Sequence, residues 1–291
     1  VRNDDAVTED KRKTGIYRGG LDDAPIPTKA KVVVVHDCAE PIARAIALRL
    51  ADRGQCVLAC GDDALRLQDL PRETALGGLV EISSAPRGKR KDRALTLFGR
   101  VDAVISVAEC PQELVWGPFE AEDPAAALQR ALIRPTQFTS ELAEALTTAR
   151  KGRLVMVNTL PGLPFGAATA AARGGFEALA DALRLELGPL GVEVLSISTA
   201  LAVGPPPTPS PLEALEKALD RLGPGRPRQA LGGPLRALLA RAATHANLAD
   251  ATVEALLSPK PRARVEVRAT PRLLAVRASR ALQKAALKKT T

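Results

Sequence analysis

Residues 31–63, KVVVVHDCAEPIARAIALRLADRGQCVLACGDD, decide the fold. Val32 to Val35 form a short apolar run suited to a fully buried strand, and Cys56 to Ala59 form another. Between them, Pro41 to Arg53 repeat apolar residues at helical spacing, with a proline at the first helical position where its missing amide costs nothing. The result is a strand–helix–strand unit of the kind that builds parallel sheets. Its turn, His36-Asp37-Cys38-Ala39-Glu40-Pro41-Ile42-Ala43-Arg44, lies where helix amides would cradle a pyrophosphate, yet it holds no glycine. A turn overwritten in this way points away from redox catalysis and towards a structural or regulatory role.

Working outward, apolar runs continue to alternate with amphipathic stretches. Strands are predicted at Gly78 to Ile82, Ala103 to Val107, Leu154 to Val157 and Val192 to Ile197, and helices at Arg87 to Leu97, Ala125 to Ala149 and Ala167 to Leu187. This is the pattern of an α/β doubly wound parallel sheet, Rossmann-like, with helices on both faces. Pro124 opens the second of those helices, and Pro135 inside it predicts a kink or an early stop. Residues 204–234 are dense in proline and glycine and read as a loop or lid with a short helix, Leu212 to Leu222, inside it. Helices at Pro234 to Ala243 and Leu248 to Leu257 follow, then an alternating strand, Arg262 to Arg268, that would extend the sheet. The domain thus spans 31–270, between an extended arm at 1–30 and a basic amphipathic helix at 271–291.

Composition bounds the remaining possibilities. The chain has 291 residues, enough for one large core, with 46% hydrophobic but only 2% aromatic side chains, so the core is aliphatic. Apolar runs of about 18 residues, as a membrane-crossing helix needs, are absent. Four scattered cysteines do not make a disulfide framework, and a reducing compartment is expected. The net charge of +8 sits in the tail: residues 260–291 hold ten Lys/Arg and one Glu, leaving 31 basic and 32 acidic residues elsewhere. The first thirty residues mix six acids with six bases and lack apolar periodicity. A removed import presequence would explain a start at Val1 without Met, and the expectation is an organellar protein, mitochondrial ahead of plastid, with the cytoplasm as the alternative.

The order of these pieces resembles the short-chain dehydrogenase/reductase family over residues 31–270. The resemblance is carried by PIARAIALRLADRG (41–54) for the first helix, FGRVDAVI (98–105) for the fourth strand, GRLVMVNTLPG (152–162) for the fifth and GGFEALADALRLELGPLGVEV (174–194) for the long helix into strand six. It implies a dinucleotide turn, T-G-x-x-x-G-x-G, which falls here on His36, Asp37, Pro41 and Ala43. Asp37 would add negative charge beside a pyrophosphate, and Pro41 would remove an amide donor. The family's N-N-A-G motif falls on Ser106-Val107-Ala108-Glu109, and its acid near adenine after strand three on Glu81. The catalytic tyrosine and lysine fall on Thr169 and Arg173, the serine on Thr159 and the asparagine on Ile133, while the proline-glycine pair after strand six falls on Thr199-Ala200. Thr169 is an aliphatic alcohol, without the phenol's pKa of about 10 that can be drawn down to serve as an acid. The only tyrosine in the chain is Tyr17, in the arm, so no shift of register restores that acid.

The expectation is therefore a degenerate member, a non-catalytic structural or accessory subunit of a larger organellar assembly. It would hold no cofactor and take no small-molecule substrate, and its partners would be other protein subunits. One alternative is a regulator that keeps NAD or NADP; another is a residual oxidoreductase with Glu109 or His36 as the proton donor. A further alternative is an RNA-contacting subunit of an organellar ribosome, using the Arg87–Arg93 cluster and the 271–291 helix. The same helix, with Leu273, Leu274, Ala278, Ala281, Leu282 and Ala285 among its cations, suits an anionic membrane surface or docking on the parent domain. His36, Cys38, Cys60 and Cys110 all map to strand ends on one edge and form a conceivable tetrahedral zinc set, but their spacing matches no short metal motif and the expectation is no metal. Cys56 faces the other edge, and His245 reads as a helix-boundary residue.

Overall fold

The computed structural model describes residues 29–74, 80–108, 124–149, 151–160, 167–199, 202–203, 233 and 243–268. Seven parallel strands form one sheet: β1 (Val32–Val35), β2 (Cys56–Cys60), β3 (Val80–Ser83), β4 (Ala103–Ala108), β5 (Arg153–Asn158), β6 (Glu193–Thr199) and β9 (Arg264–Val267), in the order 3-2-1-4-5-6-9. A separate parallel pair joins β7 (Ala202–Val203) to β8 (Ala243–Thr244). The central strands β1, β2 and β4 are continuous, fully buried runs of mostly apolar residues because helices cover both faces. β9 pairs with β6 as the alternating RARVEV sequence predicts.

Alternation along the strands divides the core in two. Val33, Val35, Ile105, Val155 and Ile197 face α1 (Pro41–Asp52) and α7 (His245–Leu257), through Ile42, Ile46, Leu50, Leu248 and Val253. Val34, Leu58, Val104, Leu154 and Met156 face the other way, onto α3 (Arg90–Phe98), α5 (Arg134–Thr147) and α6 (Ala167–Leu187) through Phe138, Leu142 and Phe176. A short α2 (Ala64–Leu67), capped by the Asp63 carboxylate on the amides of Leu65 and Arg66, follows β2. Thr244 caps α7 through the Asn247 amide, which places His245 in the first turn as expected.

Pro135, where a kink or an early stop is predicted, lies inside a helix that carries on past it. α4 (Pro124–Leu128) runs through a π turn, Gln129–Ile133, directly into α5, so the helix neither stops nor breaks. Proline has no amide to give, and its ring would clash with the carbonyl four residues back. One residue per turn more is the accommodation: the Arg134 amide reaches back to the Gln129 carbonyl, and Thr136 Oγ1 donates to the Leu132 carbonyl at 2.7 Å. The wider turn sets Gln129 and Arg130 at the surface near the carboxyl edge of the sheet. α3 likewise starts at Arg90 rather than Arg87. The segments expected at 212–222, 234–242 and 271–291 lie outside the described residues, as does the arm before Lys29.

Candidate functional site

β1 and β4 are neighbours, but the chain leaves them towards opposite faces, and the crevice this opens at the carboxyl edge is where doubly wound sheets take ligands. The turn after β1 keeps the backbone shape of a glycine turn without glycine. Asp37 takes φ +50°, a left-handed conformation that Asp tolerates better than most residues. The turn closes on itself: the Glu40 amide donates to the Asp37 carbonyl at 2.9 Å, and the Cys38 amide donates to Cys60 at 2.7 Å. Pro41 supplies no amide, and Glu40, the cap residue of α1, makes no side-chain cap and pairs with Arg66 at 3.3 Å.

Beside this turn lies a cavity of about 210 Å³ lined by His36, Asp37, Gly61, Asp62, Arg87, Arg90, Gln129 and Arg134. A smaller one, about 100 Å³, continues it past Glu40, Ala43 and Arg130. Arg90 is held on three sides. Its side chain is only 12% exposed, pairs with Asp62 at 3.2 Å and Glu141 at 3.6 Å, and sits 5.7 Å from the Phe138 ring centroid. Glu141 also accepts from the amides of Arg90 and Lys91, so a carboxylate from α5 caps α3, whose own cap residue Lys89 contributes no side-chain bond. Arg134 pairs with the other oxygen of Asp62 at 3.7 Å.

Burial governs the titration of the turn. His36 packs against Phe138 with centroids 4.7 Å apart and the rings tilted by 51°, and its Nδ1 lies 3.3 Å from the Val107 carbonyl. Desolvation lowers its pKa to about 4, with the Val107 carbonyl opposing and Arg90 adding to the shift. Desolvation raises Asp37 to about 6, helped by Glu40 and Asp62. At neutral pH the imidazole is uncharged, and it is not a cation for a phosphate.

The remaining sequence candidates distribute unevenly. Cys38 and Cys60 do not share a face. Cys38 points to the Val35 and Ala43 carbonyls on the α1 side, Cys60 packs on the α5 side, and burial pushes Cys60 up to about 12. Among the described residues no three His, Cys, Asp or Glu side chains converge for a metal, and Cys110 lies outside them, as does Glu109. Glu81 sits inside β3 opposite Leu58 rather than beyond its end, so it does not line the cleft. Ala108 ends β4, and its carbonyl accepts both the amide and Oγ1 of Thr159, at 3.1 and 3.0 Å. Ser106 ties β4 to α5 through the Pro135 carbonyl at 3.1 Å. Ile133 ends the π turn with its side chain exposed.

At the far end of the edge, Thr169 lies in the first turn of α6 and Arg173 one turn on. Arg173 donates to the Leu160 carbonyl and, at 3.0 Å, to Thr199, and pairs with Glu177 at 3.1 Å. The Asn158 amide donates to the Arg173 carbonyl at 3.3 Å. Both polar groups at the catalytic positions with described side chains, Thr159 and Arg173, are therefore spent on fastening strand ends together. Within the Arg87–Arg93 cluster, Arg90 lies in the cleft and Lys91 pairs with Glu144 at 2.6 Å, while Arg87 and Lys89 are exposed.

Sequence reasoning missed Asp62, Gln129, Arg134 and Glu141. A signal for Asp62 was present, since Gly61-Asp62-Asp63 directly follows β2 at the ligand edge. Nothing local marks Glu141, whose role depends on the packing of α5 against α3.

The short chain dehydrogenase family matches residues 31–205. A curated relative, the (2S)-[(R)-hydroxy(phenyl)methyl]succinyl-CoA dehydrogenase subunit BbsC of Thauera aromatica, is 28% identical over 184 residues, 58% of this chain and 72% of that protein. Among solved structures, a metagenomic short-chain oxidoreductase in complex with NADP has a TM-score of 0.61 at 22% identity, covering 82% of this chain and 97% of its own. NAD+-bound xylitol dehydrogenase has a TM-score of 0.65 at 16% identity, covering 82% and 98%. These findings overturn the expectation that no cofactor belongs to such a chain, because proteins of this family and fold carry NADP and NAD+. The donor set here fits a dinucleotide in altered form: the turn has lost amides and gained carboxylates, while arginine side chains gather in the cavity beside it.

Proposed function

The chain belongs to the short-chain dehydrogenase family, and from that premise we propose that it is a member without catalytic chemistry of its own, an accessory subunit of a dehydrogenase assembly that holds a nicotinamide dinucleotide or a related nucleotide at the carboxyl edge. The observation that carries this reading is Arg173. A residue that tuned a proton donor would need its charge free to face substrate, whereas this guanidinium is committed to two backbone carbonyls and Glu177. Thr159 Oγ1 is likewise committed to the Ala108 carbonyl, and no tyrosine follows Tyr17. A nicotinamide would supply a hydride donor or acceptor. Among the described residues there is no phenol to move the accompanying proton, and the Arg173 cation is committed to carbonyls and Glu177.

The relative from Thauera aromatica is named as a subunit of a dehydrogenase, which favours work beside another chain. In such an assembly the Arg87, Arg90 and Arg134 side chains would hold the phosphates of the nucleotide, and Gln129 would line its path. The test is turnover by the purified chain with NAD+, NADP+ and their reduced forms against alcohols and carbonyl compounds. We expect none above the buffer rate, with activity arising only when a second short-chain dehydrogenase chain that carries tyrosine and lysine co-purifies. Turnover by the isolated chain overturns the proposal.

A further inference from the structure

We propose that the amino edge of the sheet, the end opposite the cleft, docks on an anionic lipid surface, with a row of cations among the headgroups and Leu185 and Leu190 reaching into the interface. Nothing in this depends on what the carboxyl edge binds. All seven strands are parallel, so every segment that enters a strand lies at this one end. The register sets Val33, Ala103, Arg153 and Glu193 side by side. Lys31, Arg100, Lys151 and Leu190 stand two or three residues before these positions and so come out level with one another. Arg53 stands three residues before Cys56, the partner of Val32, and Lys260 and Arg262 lead into β9 beside β6. With neighbouring strands about 4.8 Å apart, the row from β2 to β9 runs for about 24 Å.

The charge of this row is not used inside the molecule. The segments entering β1, β2, β4, β5, β6 and β9 carry one acid, Asp102, which pairs with Arg100 at 3.0 Å and accepts the Val32 amide. Glu193, the first residue of β6, is taken by Arg153 at 2.7 Å. Among the described residues, the side chains of Lys29, Lys31, Arg53, Lys151, Lys260 and Arg262 have no ion pair or hydrogen bond, and all but Lys31 are exposed. Two leucines share this end. Leu190 closes the 3-10 turn Gly188–Leu190 and is 57% exposed, and Leu185, in the last turn of α6, is 79% exposed.

That combination selects the partner. Each Lys or Arg near an anionic bilayer raises partitioning by about fivefold, and leucines set among such cations gain by entering the interface. A single nucleic-acid strand would need aromatic rings to stack on, and the entering segments hold none. A phosphate backbone would also leave both leucines in water. Docked by the amino edge, the molecule turns its cleft away from the lipid, so that a ligand reaches it from the aqueous side.

The experiment is flotation of the full chain with vesicles of phosphatidylcholine alone or of equal parts phosphatidylcholine and phosphatidylserine, at low and high salt. Three variants accompany the wild type: Lys29→Gln with Lys151→Gln and Lys260→Gln, Leu190→Ser alone, and Lys284→Gln with Lys288→Gln in the basic tail. Circular dichroism establishes folding, and fluorescence anisotropy with polyglutamate and a single-stranded RNA tests the other polyanions. The wild type is expected to float with the anionic vesicles only and to be released by high salt. The triple lysine variant should lose about 100-fold in partitioning, and Leu190→Ser about fivefold, since only part of that side chain enters the interface. The tail variant should keep most of the binding. Equal binding to both kinds of vesicle, or none to either, overturns the proposal. So does binding that survives the triple change and disappears with the tail change, which would give the lipid contact to the tail. Leu190→Ser bound as tightly as wild type overturns the seating of the leucines. Capture of polyglutamate or RNA that the triple change abolishes, without vesicle binding, would assign the row to an acidic protein or a nucleic acid and overturn the lipid reading.

Discussion

The two ends of the carboxyl edge use their polar side chains in opposite ways. At the β1–α1 turn Asp37 takes the left-handed conformation that glycine favours, and a cavity lined by arginines lies beside it. At the β5–α6 end Arg173 and Thr159 belong to the framework, bonding to the ends of β4, β6 and the segment after β5. The first region still has the form of a receptor; the second has become a clasp. Binding and chemistry in this fold are thus separable, because the groups that hold a ligand and those that move a proton lie on different strand ends and can be exchanged independently.

The largest effect that tests this contrast is on stability. A working active-site residue can be removed with little loss of stability, whereas a clasp cannot. Arg173→Ala, which abandons two carbonyls and leaves Glu177 alone, is expected to destabilise the protein by about 2–4 kcal/mol in urea unfolding. A change under about 0.5 kcal/mol would return this end to the category of a free functional site. On the receptor side, Glu141→Gln keeps the shape of the carboxylate but removes the charge that caps α3 and backs Arg90. The expected cost is about 1–2 kcal/mol, together with weaker phosphate binding as Arg90 loses its fixed position. Stability lost with binding unchanged would show that the cavity does not depend on that support.

Most of the scaffold was legible because its signals are local. Apolar runs marked all seven strands of the sheet within a few residues, and Ala167 to Leu187 was bounded as the structure has it. Pro135 was read as a kink or an early stop; the helix does not stop, because the remedy, a π turn packed on α6, is not a property of the segment itself. Gly175 shows that packing: a Cβ there would come within 2.9 Å of the Leu132 side chain, so α6 meets the turn where it has no side chain. The positions that the resemblance marks as catalytic could be placed from the sequence, but what the side chains standing there bond to could not. Nothing local to Arg173 marks its reach to Thr199 on β6. The cleft was hidden for the same reason, since Asp62, Arg90 and Arg134 are brought together by three different elements.

The smallest effect is a slope, and it tests whether the receptor is a dry cavity. Asp37, with its pKa raised by burial to about 6 from 3.8, contributes stability that is complete below pH 3.8 and lost as the pH rises through 6. His36, lowered by burial to about 4 from 6.5, contributes stability that is complete above pH 6.5 and lost as the pH falls through 4. Glu40 and Asp62 push Asp37 up while Arg134 and Arg66 oppose, and Arg90 and Arg134 help keep His36 neutral. Between about pH 4 and 6 the folded pair therefore holds one proton on the carboxyl, and the unfolded pair holds one on the imidazole. The count is equal, so the pair adds almost no pH dependence. Single variants should unmask the halves. From pH 7.5 down to 5, His36→Gln is expected to gain stability relative to the wild-type profile, and Asp37→Asn, which tolerates the same positive φ, to lose it. Urea midpoints across that range decide the matter: parallel profiles for all three proteins would mean the cavity is as wet as the surface, and the contrast between its two ends would then rest on geometry alone.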